Sequence, residues 1–343
     1  MSISVRQIDD ADRASWDAYI AVHPSATIYH QYRWRDFYRS YFGKETHYFV
    51  AASGDDIVGV VPVVRQDSRL FGNYCVSLPF FNYGGLLSSS RDAEDALVEA
   101  LQRHVDESGA DYVELRGCSP VTALLSKTHK VSMRLALPDS YDQLSAALGA
   151  KLRSQIKRPL RENPHVDIGQ IELLDAFYSV FSRNMRDLGT PVYAKSMFAE
   201  ILQRFPDSAE IVAVSIGEQT VAAGFLLHGQ AMTEVPWASS DRRFNRVGVN
   251  MLLYSEMLKR SIERGASVFD FGRSSKDSGT YRFKKQWGAE PVQLYWSYSL
   301  EGGKDLPELS PENARYSAAI SLWQRLPLPI ANFVGPFLSR NLP

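Results

Sequence analysis

Two stretches of this chain align without a gap: GADYVELRGCS, Gly109 to Ser119, and GASVFDFGRSS, Gly265 to Ser275. Gly109 falls on Gly265, and Glu114 falls on Asp270. The helical segments in front agree as well, with Leu97 and Leu101 matching Leu253 and Met257, and Arg103 matching Lys259. Further upstream, YFVAASGDDIVGVVPVV resembles EIVAVSIGEQTVAAGFLL. Each reads as strand, polar turn and strand with alternating apolar residues. Three matches in one order indicate a duplicated unit, and a repeat on this scale restricts the fold more than any single motif. A length of 343 residues suffices for two such units, each with its own core.

The unit reads as a β-hairpin, further strand, a helix and another strand, which makes the fold class mixed α/β. A boundary near residues 145–165 gives a first domain over 1–150, a second over 151–300 and a tail over 301–343. In the second copy a helix is expected from Asn250 to Arg264. Val249, Leu253 and Met257 form its apolar stripe with Leu252 beside them, Ser255, Glu256, Lys259 and Glu263 face out, and Gly265 closes it in the left-handed conformation. The strand SVFDF follows, with Phe269 and Phe271 on one side and Val268 and Asp270 on the other. After that strand the copies part. The first continues as PVTALLSKTHK, whereas the second offers a glycine-flanked cluster of Tyr281, Arg282, Phe283, Lys284, Lys285 and Trp287. The duplicated fold does not need this cluster, so chemistry is expected in the second copy or in the groove it shares with the first. Loss of Lys284 is accordingly expected to leave stability unchanged.

Composition removes several function classes. The net charge of −1 provides no global field for nucleic acid, so any basic site is local. The seven histidines form no HExxH or other short metal spacing, and the two cysteines, Cys75 and Cys118, read as small buried hydrophobes. No metal is expected. The N-terminal segment MSISVRQIDDADRASWDAYI lacks an unbroken apolar run, and no stretch approaches the roughly 20 apolar residues of a membrane span, which reads as a cytoplasmic protein.

A tandem mixed α/β unit ending in FDFGRSSKDSGTYRFKKQWGAEP, Phe269 to Pro291, resembles the FemAB family, in which two GNAT-type acyltransferase domains share one chain. The likeness is to the FemAB-like proteins associated with exosortase/PEP-CTERM systems in particular. It extends through SLPFFNYGG (Ser77–Gly85), KLRSQIKRP (Lys151–Pro159), NMRDLGTPVY (Asn184–Tyr193), EVPWASS (Glu234–Ser240) and NMLLY (Asn250–Tyr254). This resemblance implies transfer of an acyl or aminoacyl group to an amine during cell-envelope or exopolysaccharide assembly. The donor it implies is aminoacyl-tRNA or acyl-CoA, without a resident cofactor, and the acceptor is a nucleotide- or lipid-linked sugar or peptide. The chain lacks the long coiled-coil arm that some relatives insert into the second domain. A CoA-dependent GNAT enzyme and a catalytically idle GNAT-fold adaptor are the alternatives.

In that register Phe283 and Lys284 fall on the FK that relatives place at the acyl ester, which gives Lys284 the role of stabilising the tetrahedral oxyanion. Its bland alternative is a surface lysine equivalent to Lys285. Asp270 reads as a general base or an orienting carboxylate, or as the ion-pair partner of Arg273 or Lys276. Arg153 and Lys157 share a helix face at i, i+4, in front of Pro159, and suit phosphates of tRNA, a nucleotide-sugar or a lipid diphosphate. A solvated helix end, also carrying Lys151, Arg158 and Arg161, is the alternative. Asn82 and Tyr83 stand beside two glycines that permit close ligand approach, or that form a tight turn. Tyr193 and Trp237 line an acceptor groove or are core aromatics, and Arg273 and Tyr281 complete the substrate-binding set. GNAT domains that bind acetyl-CoA carry Arg/Gln-x-x-Gly-x-Gly/Ala before the central helix. Here the nearest register is RFNRVG, Arg243 to Gly248, with Arg246 in place of the first glycine, which disfavours CoA. The tail, broken by Pro327, Pro329 and Pro336, is expected to pack back on the first domain. Its alternative dips Trp323, Phe333 and Phe337 into the inner-membrane interface beside Arg325 and Arg340.

Overall fold

The structure, a computed structural model, describes residues 3–68, 72–302, 304–307 and 320–340. In chain order the first elements are β1 (Ile3–Gln7), α1 (Arg13–Val22), α2 (Arg33–Phe42), β2 (Phe49–Ser53), β3 (Asp56–Val61), β4 (Val64–Ser68), β5 (Gly72–Val76) and β6 (Leu87–Ser88). The long helix α3 (Arg91–Ser108) leads into β7 (Tyr112–Gly117), β8 (Leu125–Lys127) and β9 (Val131–Ala136). After α4 (Tyr141–Ala147) and α5 (Ala150–Lys157) come β10 (His165–Gly169), α6 (Leu174–Leu188) and α7 (Lys195–Arg204). The strands β11 (Ala209–Ile216), β12 (Gln219–His228) and β13 (Met232–Ser240) precede α8 (Val249–Glu263) and β14 (Val268–Ser274). The described chain closes with α9 (Gly279–Lys285), β15 (Glu290–Gln293), β16 (Tyr295–Leu300) and α10 (Leu328–Ser339).

Two compact units emerge, and the chain passes between them more than once. The first runs through Ser132 and resumes at Val292; the second runs from Met133 to Pro291 and includes the described tail. The division thus falls before β9 is complete, earlier than the boundary near 150 read from the sequence. In the first unit, a four-stranded sheet β1-β2-β3-β6 accompanies a five-stranded sheet β4-β5-β7-β16-β8. The second has one seven-stranded sheet, β10-β11-β12-β13-β14-β9-β15. Strand β16 pairs antiparallel with β7, while β9 lies next to β14. Each sheet therefore takes the strand beside its parallel pair from the far side of the other copy's sequence.

The repeat holds in detail. Helix α3 starts at Ser90, whose hydroxyl accepts from Ala93 N–H, and ends at Gly109 with φ +67°; Gly265 ends α8 with φ +78°. Leu97, Leu101, Leu253 and Met257 are all buried. Strand β5 runs parallel to β7 and their register ends at Val76 and Glu114; β13 runs parallel to β14 and their register ends at Glu234 and Asp270. The two acids thus occupy matching strand positions. One difference divides the sheets. Pro62, aligned on Phe225 of β12, lacks the N–H a ladder needs, so the first copy breaks there into β3 and β4.

Helix α8 spans Val249–Glu263 as the apolar spacing predicts, and Lys259 and Glu263 face solvent as expected, yet the rest of its expected outer face is covered. Ser255 is buried, with its hydroxyl bonded to that of Tyr141 at the start of α4, and Glu256 is half-buried. Periodicity marked Ser255 as solvent-facing because a serine does not reveal that another helix lies over it. The tail differs from expectation as well. Its described part belongs to the second unit: Ser339 Oγ donates to Val192 O at 3.1 Å, Asn332 Nδ2 to Ser182 Oγ at 3.4 Å, and Arg186 Nη1 to Leu326 O at 3.2 Å. Ala331, Gly335 and Ser339 form a small-residue face that seats the helix closely, and such a face fits the α6 end of its own unit.

Candidate active site

Strands β13 and β14 stay paired through Glu234 and Asp270 and then separate. At that point the chain buries charge. Asp270 is fully buried; its Oδ1 accepts from Gly272 N–H at 2.7 Å and its Oδ2 from Arg134 Nε at 3.2 Å. Glu234 is 1 % exposed beside it. Gly272 has φ +76°, a left-handed conformation that lets the backbone fold back to the Asp270 carboxylate.

Helix α9 supplies the cation. Ser278 caps it by accepting from Tyr281 N–H at 3.2 Å, and most of the glycine-flanked cluster lies on this short helix. Its register turns Lys284 inward and leaves Lys285 exposed, which separates two residues equivalent in sequence. Lys284 Nζ donates to Gly272 O at 2.8 Å and to Arg273 O at 2.9 Å. Desolvation pushes its pKa down from 10.5 to about 8, while Asp270 and then Glu234 pull it back up. The ammonium is therefore largely charged at neutral pH in a dry place, where a fixed positive charge acts strongly on a developing anion. Phe283 faces elsewhere: its ring packs 5.0 Å from Tyr254 and 6.5 Å from Trp287, holding α9 against α8.

Several expected site residues have other roles. Asp270 is enclosed and both its oxygens are engaged, so it holds the strand end and offers no surface to a substrate proton. Its partner Arg134, on β9, carried no motif. The first copy repeats the device: Glu114 accepts from Arg116 Nε at 2.6 Å and from the Tyr298 hydroxyl at 2.7 Å. Arg153 turns back on its own chain, with Nη1 donating to Ala146 O at 3.3 Å and also to Leu148 O. It caps the C-terminus of α4, while Lys157 is exposed. Asn82 and Tyr83 are buried, with the Tyr83 ring 5.9 Å from that of Tyr29. The close approach their glycines permit is made by the Arg116 carbonyl, 2.7 Å from where a Gly85 Cβ would stand.

Tyr193 and Trp237 do come together, with ring centroids 6.2 Å apart, but Trp237 is buried against Phe198 and Phe225 as part of the core. Arg273 is exposed and Tyr281 half-exposed around Lys284. The loop before α8 bends on itself: the amides of Val247 and Gly248 both donate to Phe244 O, and that of Asn245 to Arg242 O. Elsewhere in the second unit, a surface cavity of 260 Å³ is lined by Ser179, Arg183, Gln219, Thr220 and Asp241, and includes none of the site residues above. Cys75 Sγ lies 3.9 Å from His104 Nε2, a pairing that sequence distance concealed; burial raises the thiol to about 12, so it is no nucleophile. Among the described residues no cluster of His, Cys, Asp and Glu fits a metal ion.

Residues 150–285 match the family described as an acetyltransferase (GNAT) domain. The second unit thus has a GNAT-like fold. The fold of the chain is also that of FemX, with a TM-score of 0.67 at 14% identity over 87% of this chain and 97% of that one. A tandem GNAT protein from the clavulanic acid biosynthesis pathway superposes with a TM-score of 0.55 at 10% identity, covering 89% and 100% of the two chains. L-PGS from Bacillus licheniformis gives 0.51 at 14% identity, covering 78% and 87%. Comparison with curated proteins gives no match.

Proposed function

We propose that the second unit transfers an aminoacyl or acyl group to an amine, with Lys284 as the residue that stabilises the oxyanion. The observation that carries this reading is a buried ammonium held at the point where the parallel strands part, with a pKa of about 8. In the reaction the acceptor nitrogen attacks the carbonyl carbon of the donor ester or thioester, forming the C–N bond. The carbonyl oxygen gathers charge that the Lys284 N–H stabilises. Collapse expels the donor alcohol or thiol, which takes up the proton released by the amine. Asp270 and Arg134 position the backbone that Lys284 grips.

An aminoacyl ester, as in aminoacyl-tRNA, is the donor we favour, and an envelope or exopolysaccharide precursor carrying an amine is the acceptor. Support comes from the motif resemblance and from the fold neighbours FemX and L-PGS. The loop before α8 adds to it, because amides bonded to Phe244 O are turned away from any pyrophosphate. Acyl-CoA remains the second reading, favoured by the acetyltransferase family match over residues 150–285. Isothermal titration of the full chain with aminoacyl-tRNA and with acyl-CoA tests the choice. Saturable binding of the aminoacyl-tRNA alone is expected; saturable acyl-CoA binding alone would transfer the assignment to the second reading. Binding of neither, together with co-purification of a partner protein, would make the chain an adaptor.

A further inference from the structure

Six of the twelve exposed large apolar side chains among the described residues fall in the short span 320–338. Helix α10 explains why they are bare. At 100° per residue, Ala331, Gly335 and Ser339 share the face seated on the second unit, and Ile330, Phe333 and Phe337 point the opposite way. Phe333 is 73% exposed, Phe337 59% and Leu322 67%. The seat is tight, since an added Cβ on Gly335 would come within 2.8 Å of Val192, so the helix has one way to lie. A helix apolar on all sides is ordinarily enclosed. This one leaves aromatic side chains in water, and a contiguous face of that kind marks an interaction surface.

Charge selects the partner. From Ile320 to the last residue the sequence contains Arg325 and Arg340 and no acid. Both arginines are exposed, and the carboxylate of Asp187, next to the tail, is already paired with Arg186 at 2.7 Å. A second copy docked about a two-fold axis would bring this face against itself, arginine toward arginine with no acid to offset them. An anionic lipid surface answers both halves of the chemistry: aromatic rings settle at the headgroup level while guanidinium groups reach the phosphates. No described helix is long and apolar enough to cross a membrane. We infer that α10 and the segment before it form a peripheral docking face for anionic lipid, with Phe333 and Phe337 inserted and Arg325 and Arg340 at the headgroups.

Co-sedimentation of the full chain with vesicles of phosphatidylcholine, with and without phosphatidylglycerol, tests the inference. Binding is expected on the anionic vesicles, weakened by salt, and slight on the neutral ones. The exposed pair Phe333→Ser with Phe337→Ser should lower partitioning by at least about tenfold, with an unchanged melting temperature. Arg325→Gln and Arg340→Gln should each lower it about fivefold. Absence of binding to anionic vesicles, or binding indifferent to both pairs, overturns the inference. So does a concentration-dependent dimer in sedimentation velocity that the phenylalanine pair abolishes, because the face would then belong to a second copy.

Discussion

Lys284 joins the stability of α9 to the chemistry proposed for it. Its place outside the duplicated core made it look dispensable to the fold, yet its ammonium ties α9 to the carbonyls of Gly272 and Arg273. Lys284→Met should therefore lower stability by about 2 kcal/mol, the cost of stranding buried acceptors, and a melting scan will read it. Transfer should slow by roughly 10²–10³, with donor affinity changed far less because charge develops in the transition state. Lys285→Met, at an exposed site, is the mild control. The pH dependence has a definite sign. The folded pKa of about 8 lies below the unfolded 10.5, so between those values the unfolded chain binds more protons. Titration of this group therefore adds to stability as the pH rises from about 8 to 10.5, beyond the hydrogen bonds that the ammonium already makes at neutral pH; activity moves the other way. The rate should fall above pH 8, roughly tenfold per unit once deprotonation dominates, and a pH–rate profile without that limb removes the charged lysine from the mechanism.

At the scale of the element, Arg153 separates a binding helix from a capped one. Its guanidinium reaches the last carbonyls of α4, where the helix dipole favours a cation. Arg153→Ala should cost about 0.5–1 kcal/mol of stability and leave the salt dependence of donor binding unchanged. Lys157→Ala should leave the melting temperature alone. A salt series in which Arg153→Ala flattens the binding curve would restore the phosphate role read from its spacing. In the same element, i, i+4 spacing placed Arg153 and Lys157 on one face, but the extended turn at Leu148 and Gly149 between α4 and α5 decided which carbonyls Arg153 meets.

For the whole molecule, the exchange of strands is the largest departure from a chain of two beads. A cut at residue 150 would leave β9 on the first fragment, although it sits between β14 and β15, and would remove β16 from between β7 and β8. Each fragment would lack an interior strand, and in the first the buried Glu114 carboxylate would lose the Tyr298 hydroxyl and keep only Arg116. Neither fragment alone is expected to melt cooperatively by circular dichroism; the two expressed together should regain the transition. Cooperative unfolding of either one by itself would show that the borrowed strand is not needed.

The sequence by itself determined the duplication, the helix α8 with its Gly265 end, the strand that carries Asp270, and the GNAT-like fold of the second unit. These are local patterns: apolar periodicity, a glycine with positive φ and a motif in register survive reading one residue after another. Tertiary structure alone decided that β9 and β16 change sheets, that Arg134 neutralises Asp270, that Lys284 rather than Lys285 is buried, and that the tail lies on the second unit. Each of those depends on partners more than a hundred residues away or on which face of a short helix meets the core. Desolvation and pairing energies set such choices, and they have no signature in the spacing of the residues that make them.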